Sequence, residues 1–271
     1  IAADVQADPS KVVSMTKLEN IDFLVGELEE IGEIMNGFNA PNCKSFEFNF
    51  GTVWPGDTED FILTKLAPYF PFFRRMMLEG PKTVIDFSSP HAFHIQCPPE
   101  TEEEQFVGFN LRFSVTPPDA AIAFLRQVLG EGESSKPDAR LIIGRDWGTA
   151  GLSILAEIPL FCNVVDLWLG AYDVLRDFDT GGILWSLAQP EVLPTLHRLI
   201  ISGDGWDGEN INAILRRRYD QENRNVPSLR IRLIGRGVNA NYNLVATLKE
   251  ISMIEEAFWS ERTQVIDSKD V

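Results

Sequence analysis

Eight short apolar runs recur along the chain at nearly even steps, and that regularity constrains the fold more than any single motif. In each run two apolar residues alternate around an outward one, and most runs carry a third apolar residue three positions earlier. The runs are Leu18/Ile21/Phe23, Cys43/Phe46/Phe48, Phe73/Met76/Leu78, Leu111/Phe113, Leu141/Ile143, Val164/Leu167/Leu169, Leu196/Leu199/Ile201 and Val226/Leu229/Ile231. Successive runs lie between 25 and 35 residues apart. A period of that length marks a repeat architecture, whose units are each too small to bury their own apolar face.

Helix-period segments fill the intervals. Leu28/Ile31/Met35, Phe61/Ile62/Leu66, Ala121/Phe124/Leu125/Val128, Leu152/Leu155, Ile183/Leu184/Leu187, Ile211/Ile214/Leu215 and Leu244/Leu248 each keep to one face of a helix. Start signals precede several of them: Asp57 or Thr58, then Pro117-Pro118-Asp119, then Asp207. The run spacing is that of a leucine-rich repeat, L-x-x-L-x-L. The expected fold is therefore α/β, a leucine-rich-repeat solenoid over residues 17–259 with a curved parallel sheet inside and helices outside. Residues 1–16 form an N-terminal extension and 260–271 a C-terminal tail.

Two features depart from a regular array. The Asn or Cys that usually follows each repeat strand is replaced by Gly26, Gly51, Pro81, Asp146, Tyr172, Asp204 and Ile234, so no asparagine ladder forms. Residues 81–109 do not fit a strand–helix unit. There Val84–Phe87 and Phe93–Ile95 flank Ser88-Ser89-Pro90, which reads as a β-hairpin-like insertion, and the acidic loop Glu100–Glu104 follows.

Several phrases carry a family resemblance. They are Leu66-Ala67-Pro68-Tyr69-Phe70-Pro71 running into Arg74–Leu78 and Glu79-Gly80-Pro81; Phe87-Ser88-Ser89-Pro90; Asp138-Ala139-Arg140 through Gly144, with Asp146-Trp147; and Leu193-Pro194-Thr195-Leu196 leading to Leu199–Gly203, Ile211–Arg218 and Leu229–Leu233. From about Leu18 to Trp259 the chain resembles the leucine-rich-repeat region of the divergent F-box proteins of mushroom-forming fungi. The resemblance implies the substrate-binding part of a ubiquitin-ligase adaptor. In such adaptors an F-box docks a Skp-type linker on a cullin–RING ligase while the repeats present a protein substrate. Residues Ile1 to Thr16 are too few for the helices of an F-box. A Skp-type linker or cullin is therefore expected only through an F-box that this chain does not contain.

Charge narrows the partners. Lys+Arg number 24 against 40 Asp+Glu, a net charge of −16. That field repels phosphate backbones and anionic membrane surfaces, so neither nucleic acid nor membrane is an expected partner. Three cysteines, Cys43, Cys97 and Cys162, are odd in number and widely spaced, which points to a reduced, intracellular protein, cytoplasmic or nuclear.

Motifs that suggest chemistry fare less well. Gly203-Asp204-Gly205-Trp206-Asp207-Gly208 is a G-x-G-x-x-G between a strand and a helix, and a nucleotide-binding enzyme built on that turn is the alternative function. Against it, Asp204 and Asp207 stand where phosphates would sit, and the next strand ends in Gly235-Arg236-Gly237 with no acid for a ribose. Asp204, Asp207 and Glu209 do not follow the ligand spacing of a calcium loop. His91, His94 and Cys97 resemble a zinc half-site, but positions three apart on a strand face opposite ways. No G-x-S-x-G or H-E-x-x-H is present. The chain is read as a non-enzyme, with no catalytic residue, metal or cofactor.

The residues flanking the inward positions are those a solenoid presents on its inner sheet. From the third repeat onward an arginine recurs among them. The expected partner-binding concave face is Arg75, Met77, Arg112, Arg140, Trp168, Arg198, Arg230 and Arg232. Arg and Trp are enriched in binding hot spots, so the expected function is recognition of an acidic or mixed protein segment.

Overall fold

Alternation of buried and half-buried residues shows where the apolar runs become strands. The computed structural model describes residues 13–14, 17, 20–25, 38–39, 45–52, 64, 66–80, 82–89, 92–97, 108–114, 118–130, 135–144, 150–170, 181–202, 208–219, 226–235, 241–251 and 254–261. The chain divides into two compact units. One comprises Ile1–Ile85 and Pro90–Pro137, the other Asp86–Ser89 and Asp138–Val271.

The first unit contains β1 (Val13–Ser14), β2 (Asn20–Val25), β3 (Phe38–Asn39), β4 (Ser45–Thr52), α1 (Phe70–Glu79), the first residues of β5 (Thr83–Ser89), then β6 (Ala92–Cys97), β7 (Gly108–Ser114) and α2 (Pro118–Leu129). β1 and β3 form a short parallel pair of their own. In the main sheet the order is β5-β6-β7-β4-β2. β2, β4 and β7 run parallel, with Ile21 abreast of Phe46 and Phe48 abreast of Leu111. β6 is antiparallel to β7. Within the span 81–109, β5 and β6 lie next to each other in the sheet.

One repeat strand is not a strand. Phe73, Met76 and Leu78 lie in helix α1. Pro71 in the first turn presets a helical φ and lacks only an N–H that a first turn leaves unbonded. The buried residues are Phe73 and Met77, four apart, so the helical period has won over alternation. Phe73 packs against Phe109 at 5.0 Å and Phe124 at 5.7 Å between ring centres. These three rings are fully buried and centre the unit's core. Arg74 reaches across to α2, where its Nη1 donates to the carbonyls of Val128 and Leu129 at 3.2 and 3.0 Å. Those are carbonyls that the end of a helix leaves without partners. α2 begins at Pro118 with Asp119 in its first turn, at the start signal read from the sequence. The helices expected around Leu28–Met35 and Phe61/Ile62 fall outside the described residues.

The second unit runs β8 (Asp138–Ile143), α3 (Ala150–Glu157), β9 (Asn163–Leu169), α4 (Gly181–Ser186), β10 (Arg198–Ser202), α5 (Gly208–Tyr219), β11 (Leu229–Gly235), α6 (Asn241–Lys249) and β12 (Ile254–Glu261). The strands follow one another in sequence order, each parallel to the next. Leu141, Leu167, Leu199, Ile231 and Ala257 lie abreast, as do Ile143, Leu169, Ile201 and Leu233. All nine are buried. The helices cover this face: a methyl group built on Gly151 of α3 would lie 3.6 Å from the Ile143 side chain. Gly208 opens α5 where a side chain would meet Leu244 of α6 at 3.1 Å, so its lack of Cβ lets the two helices close up.

A buried arginine ties the α4–β10 connection to α5. Arg218 is 1% exposed. Its Nη1 donates to the carbonyls of Leu187 and Val192, both at 3.0 Å, and of Gln189 at 3.3 Å. Its Nη2 donates to Leu193 at 2.7 Å. Leu193 has φ 54°, a left-handed conformation disfavoured for a side chain of its size, and Arg218 holds its carbonyl in place. Burial pushes the guanidinium below its ordinary pKa, opposed by Tyr219 and Glu191.

The observed fold is α/β, with mostly parallel sheets and helices between their strands. Among the described residues no helix is long and apolar enough to cross a membrane.

Candidate protein-binding face

In the second unit, a strand's alternate residues point away from the helix-covered face. Parallel pairing brings those from neighbouring strands within about 5 Å of one another. One row reads Arg140, Asp166, Arg198, Arg230, Glu256 from β8 to β12. The next reads Ile142, Trp168, Ile200, Arg232 from β8 to β11.

Asp166 anchors the first row. It is 5% exposed and flanked in register by an arginine on each side. Arg140 Nε lies 3.4 Å from its Oδ2, and Arg198 Nη2 donates to the same oxygen. A buried carboxylate is costly unless matched by opposite charge and hydrogen bonds, and here two guanidiniums supply both. The Arg140 side chain is 13% exposed and that of Arg198 is 40%. Arg140 is therefore mainly a structural partner of Asp166, whereas Arg198 still offers donors to solvent.

A second cluster forms where the ladder slips. Leu229 pairs with Ile254 and Arg230 with Glu256, leaving Glu255 as an extra residue at a bulge. Glu255 accepts hydrogen bonds from Ser228 Oγ and, at 3.2 Å, from Arg230 Nε. Ser228 first and Arg230 second hold its carboxyl below the usual range. Both side chains of the Arg230–Glu255 pair are at least half exposed, so solvent screens the attraction and it contributes little stability. Between the clusters lies an open groove of about 690 Å³, whose lining includes Arg198, Ile200, Arg230, Arg232 and Glu256.

Four of the eight sequence-predicted residues, Arg140, Arg198, Arg230 and Arg232, come together on this face. Trp168 lies on it too but is 2% exposed, so it does not present an apolar surface as expected. Its ring is large enough to be worth burying, and its one polar atom, Nε1, donates to Ser202 Oγ at 3.1 Å. Ile142 and Ile200 are also buried, so these three side chains offer a partner little apolar surface. Arg112 belongs to the first unit, exposed on β7 between Asn49 of β4 and His94 of β6. Arg75 and Met77 are corrected outright. They lie on helix α1, where Arg75 is exposed beside the Phe72 ring and Met77 is 1% exposed. The residues expected on the face did not include Asp166, Glu255 or Glu256. For Asp166 the usable signal was a single acid one strand away from arginines at matching repeat positions. For the glutamates there was none, because β12 carries no L-x-x-L-x-L run.

The chemical motifs resolve separately. His94 is half-buried with Nε2 against Asn110 Oδ1, while Cys97 is buried on the opposite face of β6. Cys97 Sγ lies 3.2 Å from the Met76 carbonyl, and burial pushes its thiol up to about 11. His91 falls outside the described residues, and among those described no group of three His, Cys, Asp or Glu could hold a metal ion. Of Gly203–Gly208 only Gly208 is described. It serves helix packing, and Glu209 in the first turn of α5 adds negative charge where a phosphate would bind.

No protein-family model, no curated protein and no solved structure matches the chain.

Proposed function

We propose that this chain is a protein-recognition module of the leucine-rich-repeat type, and that its partner seats on the open face of β9–β12. The observation that carries the reading is the groove of about 690 Å³ bordered by Arg198, Arg230 and Arg232, with the helices packed on the other face. The arginine charge is already partly matched, since Asp166 binds two guanidiniums and Glu255 a third. A purely acidic partner would have to displace those carboxylates, so a mixed-charge protein segment suits the groove better. In the adaptor role that the family resemblance implies, this segment belongs to a ubiquitination substrate. The Skp-type linker is then met through an F-box outside this chain.

The test replaces Arg198 and Arg230 with Ser and leaves Arg140 in place to hold Asp166. Partners recovered with the tagged protein are quantified, and their affinity for the double variant is expected to fall by about tenfold, ~1.4 kcal/mol. Unchanged recovery by a variant that unfolds at the wild-type temperature would remove this face from consideration.

A further inference from the structure

Among the described residues β12 is the edge strand of the second unit's sheet, and that edge has the properties of a preformed docking strand. Among the described residues β12 pairs with β11 alone, so half of the backbone N–H and C=O groups of this 8-residue strand point outward along the edge. Packing and pairing anchor the strand on its other sides. α6 packs against it, Ile254 and Ala257 are buried, and its pairing with β11 continues from Leu229 through Gly235.

Charge says what kind of strand would complete it. In the row Arg140–Asp166–Arg198–Arg230–Glu256, Asp166 lies between two arginines and Arg230 is bonded to Glu255. Glu256, the last member, is exposed and has no hydrogen-bond or ion-pair partner among the described residues. Arg230 lies abreast of it but is engaged by the bulged Glu255. One more strand would place its own residue beside Glu256 about 5 Å away, and a cation there would extend the pattern of paired charges. A second copy of the same edge is a poor occupant. β12 carries Glu255, Glu256 and Glu261 and no basic residue, so two such strands side by side would bring only like charge together.

We propose that β12 accepts an extended basic segment of a partner protein by β-strand addition, with a Lys or Arg of that segment beside Glu256. Backbone hydrogen bonds along the edge supply affinity, and the carboxylate supplies selectivity. The site adjoins the arginine-bordered groove, which Glu256 also lines, but it does not depend on that groove having a partner.

The probe is a synthetic peptide of alternating lysine and valine, matched in length to β12. Its controls are the glutamate–valine counterpart and a lysine–valine peptide methylated at alternate backbone nitrogens. Binding is read by fluorescence anisotropy, and protection of the β12 amides by hydrogen exchange. The lysine peptide is expected to bind and to slow exchange along β12, while both controls bind weakly. Glu256→Lys is expected to weaken it about tenfold, ~1.4 kcal/mol, and Arg198→Ser is expected to leave it unchanged. Equal binding by the methylated peptide would reduce the effect to bulk charge and overturn the proposal. So would an unaltered affinity in Glu256→Lys, or a wild-type protein that already pairs with itself through β12.

Discussion

In the second unit each strand from β8 to β12 is parallel to the next and follows it in sequence, whereas the first unit sets an antiparallel β6 between β5 and β7. The first unit also turns one repeat run into helix α1. Both units bury apolar residues at comparable spacings, so spacing does not explain the difference. What differs is local chemistry. Pro68 and Pro71 preset helical φ angles ahead of Phe73, while strands β8 to β11 of the second unit are β-branched or leucine-rich and free of proline. The units also use arginine differently. Arg74 completes the carbonyl end of one helix from its surface, and Arg218 is enclosed within a connection, donating to four of its carbonyls, of which Gln189 and Leu193 also accept from the backbone N–H of Val192 and Leu196.

That contrast in arginine burial is the sharpest part of the comparison to test. Arg218→Met keeps much of the side-chain volume but removes the guanidinium from four carbonyls, leaving Gln189 and Leu193 with their backbone donors and depriving Leu187 and Val192. A loss of about 3 kcal/mol in urea unfolding is expected, with faster hydrogen exchange between residues 187 and 193. A loss below ~1 kcal/mol would mean that the connection holds itself. Arg74→Ala, which exposes two carbonyls at an accessible helix end, is expected to cost about 1 kcal/mol. An effect equal to that of Arg218→Met would erase the distinction between the two arginines.

The smallest effect concerns alkaline pH. Cys97 in the first unit titrates at about 11 against an ordinary 9.0, because burial disfavours its thiolate. A raised folded value favours the protonated native state, so this stabilisation is complete below pH 9.0 and is lost as pH rises towards 11. Tyr219 in the second unit is shifted the same way, first by burial and against the pull of Arg218. Unfolding measured across that range should show a falling stability whose slope Cys97→Ala and Tyr219→Phe each reduce. If Cys97→Ala leaves the slope unchanged, the thiol is not protected in the native state.

Much of this was legible beforehand. Seven of the eight apolar runs coincide with or border strands, and Pro118-Asp119 marks the start of α2. The run at Phe73 misled because Phe70, Phe73 and Met77 satisfy a period of 3.6 as readily as Met76 and Leu78 satisfy alternation. β12 escaped notice because Ile254–Glu261 lacks the repeated leucine positions and is defined by its pairing with β11. Of the arginine face, Arg198, Arg230 and Arg232 followed from repeat position alone. The burial of Trp168 and the pairing of Arg140 with Asp166 did not, since both depend on what stands on the neighbouring strand.

Local sequence determined the periods, the helix starts and the side of each strand on which its polar residues emerge, because these depend on neighbours within one or two turns of chain. The register decided the rest. It placed Asp166 between two arginines, gave Glu255 to Arg230 and left Glu256 at an open edge. A charge's partner across a sheet lies tens of residues away in sequence, and whether that partner is supplied is settled only when the strands align.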